Sequence, residues 1–216
     1  MRRYSLTNIH FFLHYCFDNT TVSAGGDLEF LRDRTKDTGT NNANVMRAFY
    51  RRFLSLRSLP VPVISAINGP AIGAGFCVAL ATDIRVTSPT TKLGLTFVGL
   101  GLHPGMAGTH FLPRLVGHQT ASRLLLTGDV ILGKEAAELG LVTLADDPLE
   151  HALEMATRIV RQNKDAVNMC TRSLRNQQDF DLERSLWREA DCQAINYRTS
   201  VEEGINAIVE KRKPIW

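Results

Sequence analysis

Two glycine-rich segments of the chain contain the residues best suited to chemistry. They are SAGGDL at residues 23–28 and NGPAIGAGFCVALATD at residues 68–83, and each lies between a predicted strand and a helix-prone segment. The first backbone N–H groups of a helix have no acceptor within the helix, and the helix dipole adds partial positive charge there. Small residues let a ligand approach these groups closely. Each segment could therefore donate one N–H to an anion or to a polarised carbonyl oxygen.

Close packing at a strand–helix junction is the alternative explanation for such glycines. No lysine follows the glycines of the second segment, which separates it from a phosphate-binding loop that ends in G-K. Because two segments of the same kind occur, we favour a shared oxyanion hole over packing alone.

The elements that position these segments follow an α/β pattern in the first half of the chain. VPVISAI is a β-branched run bounded by prolines and by Asn68-Gly69, so it predicts a buried strand, and DIRVTS predicts another. GFCVALA, between them, predicts a short buried helix. A loop at DRTKDTGTNNAN leads into an earlier predicted helix, VMRAFYRRFLSLRSL, which Pro60 ends. The predicted core residues of that helix are Met46, Phe49, Phe53, Leu54 and Leu56.

Helical patterns dominate from Gly105 onward, with LVTL as one late strand. Strands that alternate with helices indicate crossover connections and stacked sheets. Near the N-terminus, IHFFLHYCF predicts a buried strand because it is short, apolar and rich in aromatic residues. The two arginines and hydroxyl residues before Asp18 also resemble an organelle transit peptide, so mitochondrial and cytoplasmic locations both stay open.

Composition excludes several classes of protein. A chain of 216 residues suits one domain with a sizeable core, and a net charge of +3 argues against a dedicated nucleic-acid binder, so we expect no DNA partner. No apolar run approaches the roughly 18–20 residues of a membrane helix, so we expect no membrane span. The four cysteines form no C-x-x-C pair and predict neither a metal site nor a disulfide framework; they are Cys16, Cys77, Cys170 and Cys192.

Taken together, the motifs resemble the crotonase, or enoyl-CoA hydratase/isomerase, superfamily. SAGGDL is similar to its first oxyanion motif, and PVPVISAINGPAIGAGFCVALATDIRV, with an N-G-x-A-x-G-x-G core, is similar to its second. LGLHPGMAGTHFLPRLVG, LLLTGDVILGKEAAELGLV and EGINAIVEKRKPIW also follow family patterns. The resemblance covers residues 22–216 and implies an α/β fold, a crotonase-like spiral of ββα units with a C-terminal helical segment.

The resemblance also implies a division of the chain and an assembly. We expect an α/β core over residues 1–145, apparently shortened at its N-terminus, and a helical segment over residues 146–216. The family forms trimers or dimers of trimers, so a homo-oligomer is implied.

Four site residues follow from the resemblance. The thioester carbonyl of an acyl-CoA would accept hydrogen bonds from the N–H groups of Gly26 and Ala74. The main chain around Ala24 would lie against the adenine end of coenzyme A. Lys211 would reach the coenzyme A phosphates, although a solvated basic helix end explains this lysine equally well. No cofactor beyond the coenzyme A moiety of the substrate is implied.

The chain departs from the family at the catalytic positions. The two glutamates of family hydratases fall at Cys77 and Phe97, and the later acid of some isomerases falls at Gly105. General acid–base catalysis typically contributes about 10²–10⁴-fold, so an ordinary hydratase mechanism is not supported.

Other side chains near these positions have two interpretations each. Cys77 is either a thiol activated by the helix dipole or, as we favour, a small buried residue. His103 and His110 are either acid–base groups or, as we favour, residues that cap a helix or pack a turn. Asp27 is expected to accept backbone N–H groups at the start of the next helix.

Three functions remain open at this point. The first is an enzyme, a lyase or isomerase of acyl-CoA thioesters in fatty acid metabolism. The second is a non-catalytic relative that binds acyl-CoA or a partner protein. The third is RNA binding through a basic helix face, for which a solvated helix surface is the alternative explanation; that face consists of Arg47, Arg51, Arg52 and Arg57.

Overall fold

The computed structural model describes the backbone of residues 12–15 and the whole of residues 27–216. In chain order the first elements are β1 (Phe12–Tyr15), α1 (Leu28–Lys36), α2 (Gly39–Leu54), a 3₁₀ turn (Ser55–Ser58), β2 (Val63–Ile67), β3 (Ala71–Ile72), α3 (Ala74–Leu80), β4 (Ile84–Thr87) and β5 (Lys92–Gly94). They are followed by a second 3₁₀ turn (Thr96–Leu100), α4 (Gly108–Thr127), β6 (Val130–Leu132), α5 (Gly133–Glu138), β7 (Thr143–Leu144), α6 (Pro148–Val160), α7 (Lys164–Gln178), α8 (Leu182–Thr199) and α9 (Val201–Val209).

Two sheets organise the described strands. One is parallel throughout, in the order β1-β2-β4-β7, with Ile64 opposite Ile84. The other has the order β3-β5-β6, in which β3 and β5 are parallel and β5 and β6 are antiparallel. Strand β2 is buried along its whole length, as expected of a strand covered on both faces. Ile67 belongs to the main core, whereas Ile64 and Ala66 pack with residues of α6.

The main core lies where α2 packs along α8. Tyr50 of α2 and Tyr197 of α8 are among the largest fully buried side chains, and Met46 and Leu186 pack in the same cluster. Burying one such side chain is worth roughly 1.5–3 kcal/mol, so this helix pair joins the C-terminal helices firmly to the α/β core.

A buried arginine fixes the segment that leads into β2. Arg175 of α7 donates hydrogen bonds to the carbonyl oxygens of Arg57, Leu59 and Val61, at 3.1, 2.6 and 3.0 Å. It also pairs with the carboxylate of Asp83 at 2.5 Å, and Asp83 accepts the Val63 N–H at 2.7 Å. One side chain therefore connects α7 to β2 and to the start of β4.

Most of the predicted elements are confirmed. Strands β2, β4 and β7 lie within the predicted runs, and helix α3 matches GFCVALA except that it begins and ends one residue earlier, at Ala74 and Leu80. Strand β1 lies within IHFFLHYCF, of which the structure describes Phe12–Tyr15. Beyond those four residues, the strand and transit-peptide predictions fall outside the described residues. The 3₁₀ turn at Ser55–Ser58 follows α2, and the chain leaves it before Pro60 as predicted.

The predicted loop over residues 33–44 is wrong. Helix α1 extends to Lys36 and α2 begins at Gly39, because Asp27 and Thr38 cap the two helices with their side chains. The single late strand is also wrong, since β6 precedes β7, and strands of two or three residues leave no periodic signal. Phe53, predicted in the core, is 45% exposed, and Tyr50 occupies the core instead.

Removing the Arg175 side chain should lower the free energy of unfolding by about 3–5 kcal/mol, because the half-buried Asp83 carboxylate would lose its nearest cation and three backbone carbonyls would lose their donor. Urea unfolding of Arg175→Leu measures this change. The matched control is Arg172→Leu, an exposed arginine on the same helix, for which we expect a change within about 0.5 kcal/mol. Equal stability of the two variants would contradict the assigned role of Arg175.

Candidate functional site

The N-terminus of α3 is built by an unusual backbone conformation at Gly73. Its φ of 58° and ψ of −121° suit glycine alone among the amino acids. The Gly73 N–H donates to the Gly94 carbonyl at 2.8 Å, and the Cys77 N–H donates to the Gly73 carbonyl at 3.1 Å. Ala74, the first residue of α3, is half-buried, and within the described part of the chain its N–H has no hydrogen-bond acceptor. The predicted donor is therefore available to a ligand.

The other predicted donor, Gly26, and the predicted adenine contact at Ala24 lie outside the described residues. The neighbouring Asp27 caps α1 and accepts the Glu29 N–H at 2.9 Å. The expected structural role of Asp27 is thus confirmed, whereas Gly26 and Ala24 stay predictions.

Cys77 is fully buried one turn into α3. Its thiol donates to the Gly105 carbonyl at 3.2 Å. Burial raises the pKa of the thiol well above its usual value, and the nearby Glu189 raises it further. A thiol that stays protonated is a poor nucleophile and base, which supports its interpretation as a small buried residue.

Phe97 places an aromatic ring beside the N-terminus of α3. Its Cζ atom lies 3.9 Å from the point where a Cβ would stand on Gly73. The ring is partly buried against the main core. The structure therefore brings Ala74, Cys77 and Phe97 together, and it gives the wall nearest to Ala74 an apolar surface.

Gly105 has no space for a side chain. A Cβ at this residue would stand 2.5 Å from the Tyr50 hydroxyl and 2.8 Å from Nε2 of Gln193. Both neighbours are buried, at 1% and 2% exposure, so neither can move into solvent easily. The phenol of Tyr50 thus occupies the volume that an acid at position 105 would need.

A buried carboxylate holds the turn that contains Gly105. Glu189 accepts the N–H of Ala107 at 2.7 Å, and the N–H and hydroxyl of Thr109 at 3.0 and 2.6 Å. Met106 and Ala107 have φ values of 53° and 63°, a conformation that non-glycine residues rarely adopt. The three hydrogen bonds stabilise this strained turn at the start of α4. Burial raises the pKa of Glu189 to about 7, against the opposite effect of its hydrogen bonds.

Three polar residues of α8 contact this part of the chain, and the sequence analysis missed all of them. Glu189 is joined by Gln193, whose Nε2 donates to the His103 carbonyl at 2.7 Å, and by Asn196, whose Oδ1 accepts the His103 N–H at 2.8 Å. Their spacing of four and three residues puts them on one helix face. Polar residues at that spacing usually indicate an exposed helix face. The only sequence feature that could have indicated buried side chains was their position among apolar residues.

The two histidines of the turn do not join Ala74. His110 is buried, with Nδ1 2.9 Å from the Ser185 hydroxyl and Nε2 2.7 Å from the Gln178 carbonyl, which supports its packing role. His103 lines a separate cavity, and burial lowers its pKa.

The basic residues named from the sequence have different surroundings. Lys211 is exposed just beyond α9, and no described residue forms an ion pair with it. Three of the four arginines of the predicted basic face are paired: Arg47 stacks on Trp187 and pairs with Asp191, Arg51 pairs with Glu183, and Arg57 pairs with Asp179. The fourth, Arg52, is exposed and pairs with no carboxylate among the described residues. The predicted basic face is therefore largely compensated by carboxylates.

Comparisons with known proteins identify relatives of the chain. A family model described as enoyl-CoA hydratase/isomerase matches residues 18–216. The chain is 34% identical over 198 residues to crotonyl-CoA hydratase of Syntrophomonas wolfei, and the match covers 88% of this chain and 74% of that protein. It is 33% identical over 199 residues to human mitochondrial methylglutaconyl-CoA hydratase, covering 88% of this chain and 58% of that protein.

A solved structure has the same fold. The crystal structure of an enoyl-CoA hydratase/isomerase from Mycobacterium paratuberculosis superposes with a TM-score of 0.78 at 29% identity, over 88% of this chain and 75% of that one. None of the helices in the described residues has the length and apolar character needed to cross a bilayer.

Glu189 should make stability depend on pH. Because its pKa is raised from 4.5 to about 7, its contribution is fully present below pH 4.5 and is lost as the pH rises through about 7. Between pH 4.5 and pH 8 the free energy of unfolding of the unsubstituted protein should fall by about 3 kcal/mol more than that of the Glu189→Gln variant, which has no titrating group at this position. Urea unfolding at both pH values measures this, with Glu183→Gln, exposed on the same helix, as control. An identical pH dependence of the Glu189→Gln variant and the unsubstituted protein would disprove it.

Proposed function

The chain belongs to the enoyl-CoA hydratase/isomerase family and has its crotonase-like fold, and on that premise we propose that it binds an acyl-CoA thioester at the N-terminus of α3. In this proposal the thioester carbonyl accepts the Ala74 N–H and, from the SAGGDL motif, the Gly26 N–H. Two such donors aimed at a developing enolate are worth about 3 kcal/mol each. The ligand brings its own coenzyme A moiety, and no further cofactor is part of the proposal.

The observation that carries this proposal is the geometry at Gly73. The positive φ of this residue turns the chain so that Ala74 begins α3 with an N–H that no described acceptor occupies. The Phe97 ring lies beside it and keeps the surroundings apolar. Hydrogen bonds to a partial charge are stronger in such a low-dielectric environment than in water.

The residues at the catalytic positions of the family favour an unusual reaction. Positions 77, 97 and 105 hold a thiol, a phenyl ring and no side chain, so the site offers no carboxylate there to activate water. We therefore propose enolate stabilisation in the manner of a family isomerase or hydratase, with slow or absent hydration. The second candidate is a non-catalytic acyl-CoA- or partner-binding relative, which the buried, protonated Cys77 favours.

The assembly and location are also proposals. A trimer or hexamer is what the family resemblance implies, and sedimentation analysis of the purified protein would measure it. A mitochondrial or a cytoplasmic location fits the chain, and some of its relatives are mitochondrial.

Ala74→Pro should weaken acyl-CoA binding by about tenfold, because proline lacks the N–H but tolerates the first position of a helix. Calorimetric titration with butyryl-CoA measures the dissociation constant. Lys164→Pro is the matched control, since Lys164 is the exposed first residue of α7. Unchanged binding by Ala74→Pro would refute the oxyanion hole, and no binding by the unsubstituted chain would refute the proposed function.

Phe97→Glu together with Cys77→Glu should raise hydration of crotonyl-CoA by at least about 10²-fold, because it restores both family carboxylates. Loss of the enoyl absorbance measures the rate, and the unsubstituted protein should show little. Phe97→Glu alone covers the case in which a buried glutamate at position 77 prevents folding. Phe53→Glu, on an exposed side chain, is the control. A folded, acyl-CoA-binding double variant with no gain would contradict the proposed arrangement of the site.

A further inference from the structure

A cavity lies between the 3₁₀ turn at Thr96–Leu100, α4 and α8. Its volume is about 410 Å³, within the range of small-molecule sites. Among the described residues, those that line it do not include Gly73, Ala74 or Phe97, which define the proposed thioester site. Apolar side chains form most of its surface, and four polar ones interrupt it: His103, Thr109, Ser122 and Asn196.

His103 offers this cavity a hydrogen-bond acceptor. Its Nδ1 atom is 2.6 Å from the Pro104 carbonyl, which can only accept, so Nδ1 carries the proton and Nε2 is left as an acceptor. Burial lowers the pKa of the ring, which favours its neutral form. The main chain of His103 is held at both its N–H and its carbonyl by α8. The acceptor is therefore fixed before any ligand arrives.

Asn196 offers the same cavity a donor. Its Oδ1 accepts the His103 N–H at 2.8 Å, which orients the amide so that Nδ2 is the remaining group. Within the described part of the chain, Nδ2 of Asn196 and Nε2 of His103 form no hydrogen bond. The other two polar residues of the lining already have partners, since the Thr109 hydroxyl donates to Glu189 and the Ser122 hydroxyl bonds His118. The lining thus has one remaining acceptor and one remaining donor, on His103 and Asn196, in a mostly apolar surface.

We propose that this cavity binds a neutral, largely apolar molecule that carries a carboxamide group. The N–H of the amide would donate to Nε2 of His103, and its carbonyl would accept from Nδ2 of Asn196. No lysine, arginine, aspartate or glutamate is among the described residues that line the cavity, so a charged ligand would lose hydration without an ion-pair partner in the lining. Arg188 of α8, whose charge acts on His103, is not part of that lining. This site stands independently of the proposed acyl-CoA function.

Hexanamide and hexanoate are matched probes, since they share chain length and differ in charge. In the full chain, titration with hexanamide at pH 7.5 should shift the imidazole NMR signals of His103 saturably, with millimolar or tighter binding. Hexanoate should bind at least about tenfold more weakly. No saturable shift with hexanamide, or equal binding of the two probes, would overturn the proposal.

Variants separate this cavity from the acyl site. Ser122→Phe should fill the cavity and abolish hexanamide binding, and His103→Phe should weaken it about tenfold, while His151→Phe on α6 should have no effect. Butyryl-CoA binding by Ser122→Phe should match the unsubstituted chain. If Ser122→Phe abolishes butyryl-CoA binding, the cavity belongs to the acyl site and the proposal is wrong. If the His103 signals shift with protein concentration alone, a second copy of the chain fills the cavity, and the proposal is again wrong.

Discussion

The geometry around the candidate site depends on one buried carboxylate, Glu189. It is 0% exposed and accepts three hydrogen bonds from a turn whose residues Met106 and Ala107 adopt strained, left-handed conformations. A left-handed non-glycine residue persists only when its surroundings over-determine it. Glu189 provides that constraint, and it does so across more than 80 positions of sequence. This turn also contacts Cys77, because the Gly105 carbonyl accepts the hydrogen bond of the Cys77 thiol. Glu189 therefore stabilises the backbone beside the candidate site without contacting the site itself.

Two helices of the C-terminal segment therefore act on the α/β core in different ways. Helix α8 fixes residues 103–109 through three polar side chains, whereas α7 fixes the entry to β2 through Arg175. Glu189 and Arg175, the charged members of the two sets, are both buried, and their hydrogen bonds are charge-assisted, so either one is costly to remove. The glycine-rich backbone of the site could adopt several conformations by itself, and the contacts from α7 and α8 stabilise one of them.

Residues that act through local rules were predictable from the sequence. The apolar run of β2 and the short helix α3 follow from patterns within a few residues of each other, as does the cap at Asp27. The donor role of Ala74 comes from the family resemblance and stays a prediction. Residues that act across the fold were not. Tyr50 and Glu189 look like an ordinary core tyrosine and an ordinary helix glutamate, because nothing in the sequence near either one indicates the turn that it contacts. The short strands β3 and β5 were missed for a related reason, since pairing with each other defines them.

The crowding at Gly105 constrains how this chain could change over evolutionary time. The Tyr50 hydroxyl and Gln193 already fill the space beside this glycine. An acid at position 105 would be harmful unless a smaller residue had first replaced Tyr50, and that replacement alone would leave a cavity in the core. The effects of the two substitutions are therefore strongly non-additive. The order in which the two substitutions occur therefore decides whether a carboxylate at position 105 can be accommodated.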